Sequence, residues 1–168
     1  MKKLFVLLMG IAVAATSFGQ SKDVVDIAIG SADHTTLVAA VKAADLVTTL
    51  KGKGPFTVFA PTNAAFNKLP EGTVANLLKP ENKAQLAKIL TYHVVSGNLD
   101  AAGVTAAIKS GNGKAVVTTV SGGKLTASLE NGKVKLTDEG GNAAYVTAAD
   151  LKGSNGVVHV IDGVVMPK

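Results

Sequence analysis

The stretch KLTASLENGKVKLTD, residues 124–138, decides the architecture. Leu125, Ala127 and Leu129 alternate with polar residues, the chain meets Asn131-Gly132, and the alternation resumes with Val134 and Leu136 between lysines and threonines. A period of two puts alternate side chains on one face of a strand, and Asn-Gly is the pair most at ease with positive φ at both central turn positions. Lys124 to Glu130 and Lys133 to Asp138 are therefore read as a β-hairpin. Its five apolar residues face a core while the lysines and threonines meet water.

Working outward, Val116 to Val120 reads as a strand that turns at Gly122-Gly123, and Gly156 to Ile161 as a last strand ending at Asp162-Gly163. Upstream the period changes. Leu37, Val41, Ala44 and Val47 recur at helical spacing before Gly52 and Gly54, and Leu86, Ile89, Leu90, His93 and Val94 share one face of a second helix that starts near Glu81 and Asn82. Between the helices, Phe56, Val58 and Ala60 alternate with Thr57 and Phe59 in a short strand that stops at Pro61. The fold class is α+β, with the helices concentrated in the first half and no repeat or long linker to suggest a second domain.

Lys2 and Lys3, an apolar run from Leu4 to about Ala15 and small or polar residues up to Gln20 form a secretory signal pattern. The run is shorter than the roughly 18 to 20 residues a membrane-spanning helix needs. Residues 1–19 are read as a signal peptide cleaved after Gly19, with a cut after Ser17 as the alternative, and residues 20–168 as one domain of the exported protein. The chain has no cysteine, which excludes disulfides, thiolate metal sites, a cysteine nucleophile and a lipidated-cysteine anchor. Its formal charge is +5, including Lys2 and Lys3, and every basic residue is lysine. Without guanidinium forks, specific nucleic-acid recognition is not expected, while attraction to anionic polysaccharide or headgroups stays open.

Two distant segments resemble the signature motifs of the fasciclin domain family: Thr57-Val58-Phe59-Ala60-Pro61-Thr62-Asn63-Ala64-Ala65-Phe66, and the run from Asn155 and Gly156 through His159 and Asp162 to Pro167. Tyr92-His93 resembles the Tyr-His motif that lies between them, and the likeness spans Asp23 to Pro167. It implies a wedge-like or sandwich-like β core with flanking helices, in secreted and surface proteins that mediate adhesion and matrix contacts. In animal members the Tyr-His motif with its aliphatic flanks, and an Asp-Ile pair ahead of the second signature, are associated with integrin binding. The corresponding residues here are Tyr92 and His93 with Ile89, Leu90, Val94 and Val95, and Asp150 with Leu151, which departs from the family's Ile.

Several motif residues have structural roles open to them on physical grounds. Thr62 or Asn63 can cap a helix after the strand, and Asn155-Gly156 and Asp162-Gly163 carry turn chemistry. His93 lies near a helix C-terminus on the apolar face, so a hydrogen-bonded core histidine is expected ahead of a ligand contact. Tyr92 would then point away from that face, toward an external partner. His159 is read as a satisfied, partly buried histidine, and Asp150 as a cap or turn residue before Gly153. No nucleophile elbow, zinc-protease helix, calcium loop or phosphate-binding glycine run is present. The expectation is a secreted, non-catalytic, monomeric module with neither cofactor nor metal, which binds a cell-surface or matrix protein or glycan in the periplasm or outside the cell. The alternative is a carrier of an apolar small molecule such as a lipid or pigment.

Overall fold

The computed structural model describes residues 21–168, so the expected signal segment lies outside the described residues. Seven strands form one sheet: β1 (Phe56–Pro61), β2 (Val94–Ser96), β3 (Lys114–Thr118), β4 (Lys124–Glu130), β5 (Lys133–Thr137), β6 (Ala143–Gly153) and β7 (Gly156–Ile161). Their order is β2-β1-β7-β6-β5-β4-β3, with β1 and β7 parallel and the other neighbours antiparallel. The sheet curls until its ends meet at an isolated Val95–Thr119 bridge and a 2.7 Å bond from the Val120 N–H to the Val94 carbonyl. The result is a nearly closed wedge. Around it lie α1 (Val24–Ile29), α2 (Thr35–Ala43), α3 (Val47–Leu50), α4 (Asn63–Asn67), α5 (Thr73–Leu77), α6 (Lys83–Tyr92) and α7 (Ala101–Ser110).

The hairpin over residues 124–138 forms with Leu129 opposite Val134 and Ala127 opposite Leu136. Asn131 and Gly132 take φ 51 and 77, the two left-handed positions that let this turn follow the strand twist. Leu125, Ala127 and Leu136 are buried, but Leu129 is 41% exposed because it pairs beside the turn, past the reach of the core.

β1 separates two cores. Val58 and Ala60 join Val24, Leu37, Val41, Leu86 and Leu90 in a helix-side cluster, whereas Phe59 enters the wedge with Tyr92, Leu125, Leu136 and Ile161. A strand covered on both sides shows apolar residues at successive positions, and all six residues of β7 are buried.

The two helices expected in the first half are present but shorter than their apolar periods. α2 ends at Ala43, because Asp45 takes φ 61, and Val47 belongs to the separate α3. α6 ends at Tyr92, and Val94 already lies in β2. Two long elements were not foreseen. In α7, only Val104 and Ile108 face the core among alanines, Gly103 and Thr105, although its signals, Asp100 accepting from the Gly103 N–H at 2.7 Å and Gly111 at the end, are local. In β6, register shifts between Val146 and Leu151 break the alternation that would have revealed it. Asp150 and Leu151 therefore occupy an irregular strand, not the turn expected from sequence.

Candidate functional site

Asp138 is a buried carboxylate with every bond satisfied by the protein. Its Oδ1 accepts from the Gly140 and Asn142 N–H groups at 2.9 and 2.8 Å, and its Oδ2 from the Asn142 amide and the Met166 N–H at 3.0 and 2.9 Å. A buried carboxylate with four donors fixes the 138–142 loop and the C-terminal segment together. The Asp-Glu-Gly-Gly-Asn string is recognisable turn chemistry, but its grip on Met166 depends on the fold.

His93 stands nearby and is buried. The Val165 N–H donates to its Nε2 at 3.2 Å, so the proton sits on Nδ1, which donates to the Ile89 carbonyl at 2.8 Å. Burial pushes its pKa down to about 4, against the opposing pull of the Ile89 carbonyl and the Asp138 charge. His93 is a buried histidine with both ring nitrogens hydrogen-bonded within the protein.

Tyr92 is a correction. It is fully enclosed rather than outward, because α6 is covered by the helix-side cluster on one flank and by the curled sheet on the other. Its hydroxyl donates to the Lys124 carbonyl at 2.6 Å and accepts from the Glu139 N–H at 3.2 Å, while burial raises its pKa. Gly123 permits this, since a Cβ there would stand 2.5 Å from the ring. Ile89, Leu90, Val94 and Val95 are buried as well, so a partner docking on the folded domain reaches none of this group.

The residues of the two signature segments pin loops. Thr57, in β1, donates to the Gly97 carbonyl and accepts from the Leu99 N–H, each at 2.8 Å. His159, in β7, stacks on Phe59 with centroids 5.7 Å apart. Its Nε2 donates to the Leu99 carbonyl at 2.6 Å, while its Nδ1 accepts a long 3.4 Å bond from the Asp150 N–H. Asn155 accepts from the Val24 N–H at 3.0 Å and donates to the Leu50 and Gly52 carbonyls at 2.7 and 2.9 Å. Gly156 is required where β7 starts, since a Cβ would collide with the Phe56 backbone. At the other end of these strands Thr62 caps α4 through the Ala65 N–H, while Asn63 accepts from Thr35 and Thr36 and donates to the Ala32 carbonyl. Pro61 and Phe66 are buried beside them. Asp162 accepts from the Tyr145 N–H at 2.8 Å.

Asp150 and Leu151 remain at the surface. Asp150 takes φ 59 inside the irregular part of β6, and its Oδ1 accepts from the Ala101 N–H at 2.8 Å, at the start of α7. Leu151 is 38% exposed. Among the described residues, no three His, Asp or Glu side chains are grouped so as to hold a metal ion, and no helix is long and apolar enough to cross a membrane.

A curled seven-stranded wedge flanked by helices, whose signature residues tie down its own loops, defines a domain of mixed α and β structure. A family model described as Fasciclin domain matches residues 32–167, leaving α1 ahead of the match. Protein sll1483 of Synechocystis sp. is 54% identical over 144 residues, which are 86% of this chain and 73% of that protein. Cell surface glycolipoprotein MPB83 of Mycobacterium bovis is 36% identical over 123 residues, 73% of this chain and 48% of that protein. A solved FAS1 domain pair from the insect cell adhesion molecule Fasciclin I shares the fold, with a TM-score of 0.75 at 16% identity over 85% of this chain and 50% of that one. The chain belongs to the fasciclin domain family.

Proposed function

We propose that this protein is an exported, monomeric module that binds a surface or matrix protein or glycan, without catalysis, through the face around Asp150 and Leu151. The observation that carries the reading is the local geometry of β6. A non-glycine residue at φ 59 costs energy, and here the bulge is held by the Ala101 N–H and leaves an apolar side chain exposed on the strand. The Asp150 carboxylate fixes this bulge against α7, and Leu151 is the side chain left free for a contact. The names of two similar proteins, a cell surface glycolipoprotein and a cell adhesion molecule, point the same way.

The carrier alternative has less support. The apolar slot lined by Val25, Leu37, Val41, Leu50 and Leu90 encloses about 40 Å³, whereas small-molecule sites hold roughly 300–1,000 Å³. It admits a small alkyl group, not a pigment.

The test is binding of the purified protein to envelope fragments, with Asp150→Ala and Leu151→Ser as variants. Each is expected to weaken binding about tenfold, near 1.4 kcal/mol. Undiminished binding by both variants removes this face from the proposal, and no binding by the parent protein removes the function.

A further inference from the structure

Beside Leu151 a polar cleft of about 250 Å³ opens between the 52–55 loop, the 97–100 loop and the β6–β7 turn. Lys53, Asn98, Lys152 and Ser154 line it, and no side-chain hydrogen bond or ion pair to any of the four is formed among the described residues. Other surface lysines also lack a partner among the described residues, but Lys53 and Lys152 are the two that line one cleft together with an amide and a hydroxyl. Each loop that carries a cleft residue is fixed from within. Thr57 and His159 hold the backbone on either side of Asn98, Asn155 holds Gly52 next to Lys53, and the Ser154 N–H bonds the Lys22 carbonyl at 2.9 Å. Free donors on a rigid frame are what a ligand site requires, because little ordering remains to be done on binding.

We propose that this cleft binds an acidic sugar unit of an extracellular polysaccharide, of the uronic acid type. The two ammonium groups supply the charge for a carboxylate, and the Asn98 amide and Ser154 hydroxyl suit ring hydroxyls. The third feature is Asp100. One of its oxygens accepts from the Gly103 N–H, and the residue also lines the cleft. A bare phosphate or sulfate offers Asp100 no donor, whereas an acidic sugar can donate a ring hydroxyl to it while its own carboxylate stays on the lysines. Pro55, exposed at the rim, adds an apolar surface for a ring face.

This assignment rests on the binding-module reading and names its ligand class. Calorimetric titration of the full protein with oligogalacturonate, with a neutral galactose oligomer and with vesicles containing anionic lipid tests it, alongside amide chemical shifts of Asn98 and Ser154. The acidic oligomer should bind, weaken as salt is raised, shift those two amides, and lose at least tenfold in affinity in the Lys53→Ala/Lys152→Ala double variant. Both lysines are exposed, so the variant's melting temperature should match the parent's. Equal affinity for the neutral oligomer, preference for the vesicles, or an unaltered double variant overturns the assignment. A blank titration by protein that still binds envelope fragments overturns the cleft alone, and a blank in both assays removes the binding reading too.

Discussion

The two sides of β1 are both apolar cores, yet they close by different means. On the helix side short helices meet through aliphatic packing, and about 40 Å³ stays unfilled between α1, α2 and α3. On the wedge side every strand is hydrogen-bonded to its neighbours, and Tyr92, Thr57, His159 and Asp138 add directional bonds within or beside the cluster. Non-directional packing tolerates rearrangement, whereas a network of satisfied buried polar groups admits one arrangement. The wedge side is accordingly the part that holds the surface loops in place.

The largest effect should come from matched truncations. Leu136→Ala, at a fully buried position between paired strands, is expected to cost about 4 kcal/mol, and Leu50→Ala, beside the slot where short helices can settle inward, about 3 kcal/mol. Denaturant unfolding measures both, and a larger loss at Leu50 would reverse the contrast. Acid probes the boundary between the cores. The folded pKa of His93 is depressed to about 4 from 6.5, so its contribution is complete above pH 6.5 and is lost as pH falls toward 4, where the charged ring can no longer accept from Val165. The loss should approach about 3 kcal/mol and be absent in His93→Gln. The exposed carboxyls of Asp26 and Glu130, lowered by hydrogen bonds from Lys51 and Tyr145 respectively, contribute above their ordinary pKa values and lose that contribution as pH falls below them, so the comparison with His93→Gln is what isolates the histidine. The smallest effect is Tyr92→Phe, about 1–2 kcal/mol for leaving the Lys124 carbonyl and Glu139 N–H without their partner. No change in melting temperature would mean that the wedge side does not depend on its polar bonds.

Much of this fold was legible where a short-range rule applied. The Asn131-Gly132 hairpin, the strand from Gly156 and a helix cap at Thr62 or Asn63 follow from local patterns, and the structure places the cap on Thr62. β6 was not legible, because register shifts move its side chains between faces and erase the period of two. The candidate site divided in the same way. Tyr92 was expected outside because helical periodicity separates one face from its opposite, but it says nothing about a sheet curling over the second face. Asp150 and Leu151 were noticed for their resemblance, while the bulge that displays them depends on pairing with Val158 and Val160.

Sequence alone determined the α+β class, the exclusion of cysteine chemistry and the family, because composition, turn residues and ordered motifs are properties of neighbours along the chain. Tertiary structure decided which residues face water. Tyr92 and His93 are held inside by groups 32 to 72 residues away, and the cleft at Lys53 and Lys152 exists only because Thr57, His159 and Asn155 bring three distant loops to one place. Local alternation marks one buried face of a strand or helix, but whether the opposite face is also covered depends on the whole packed chain.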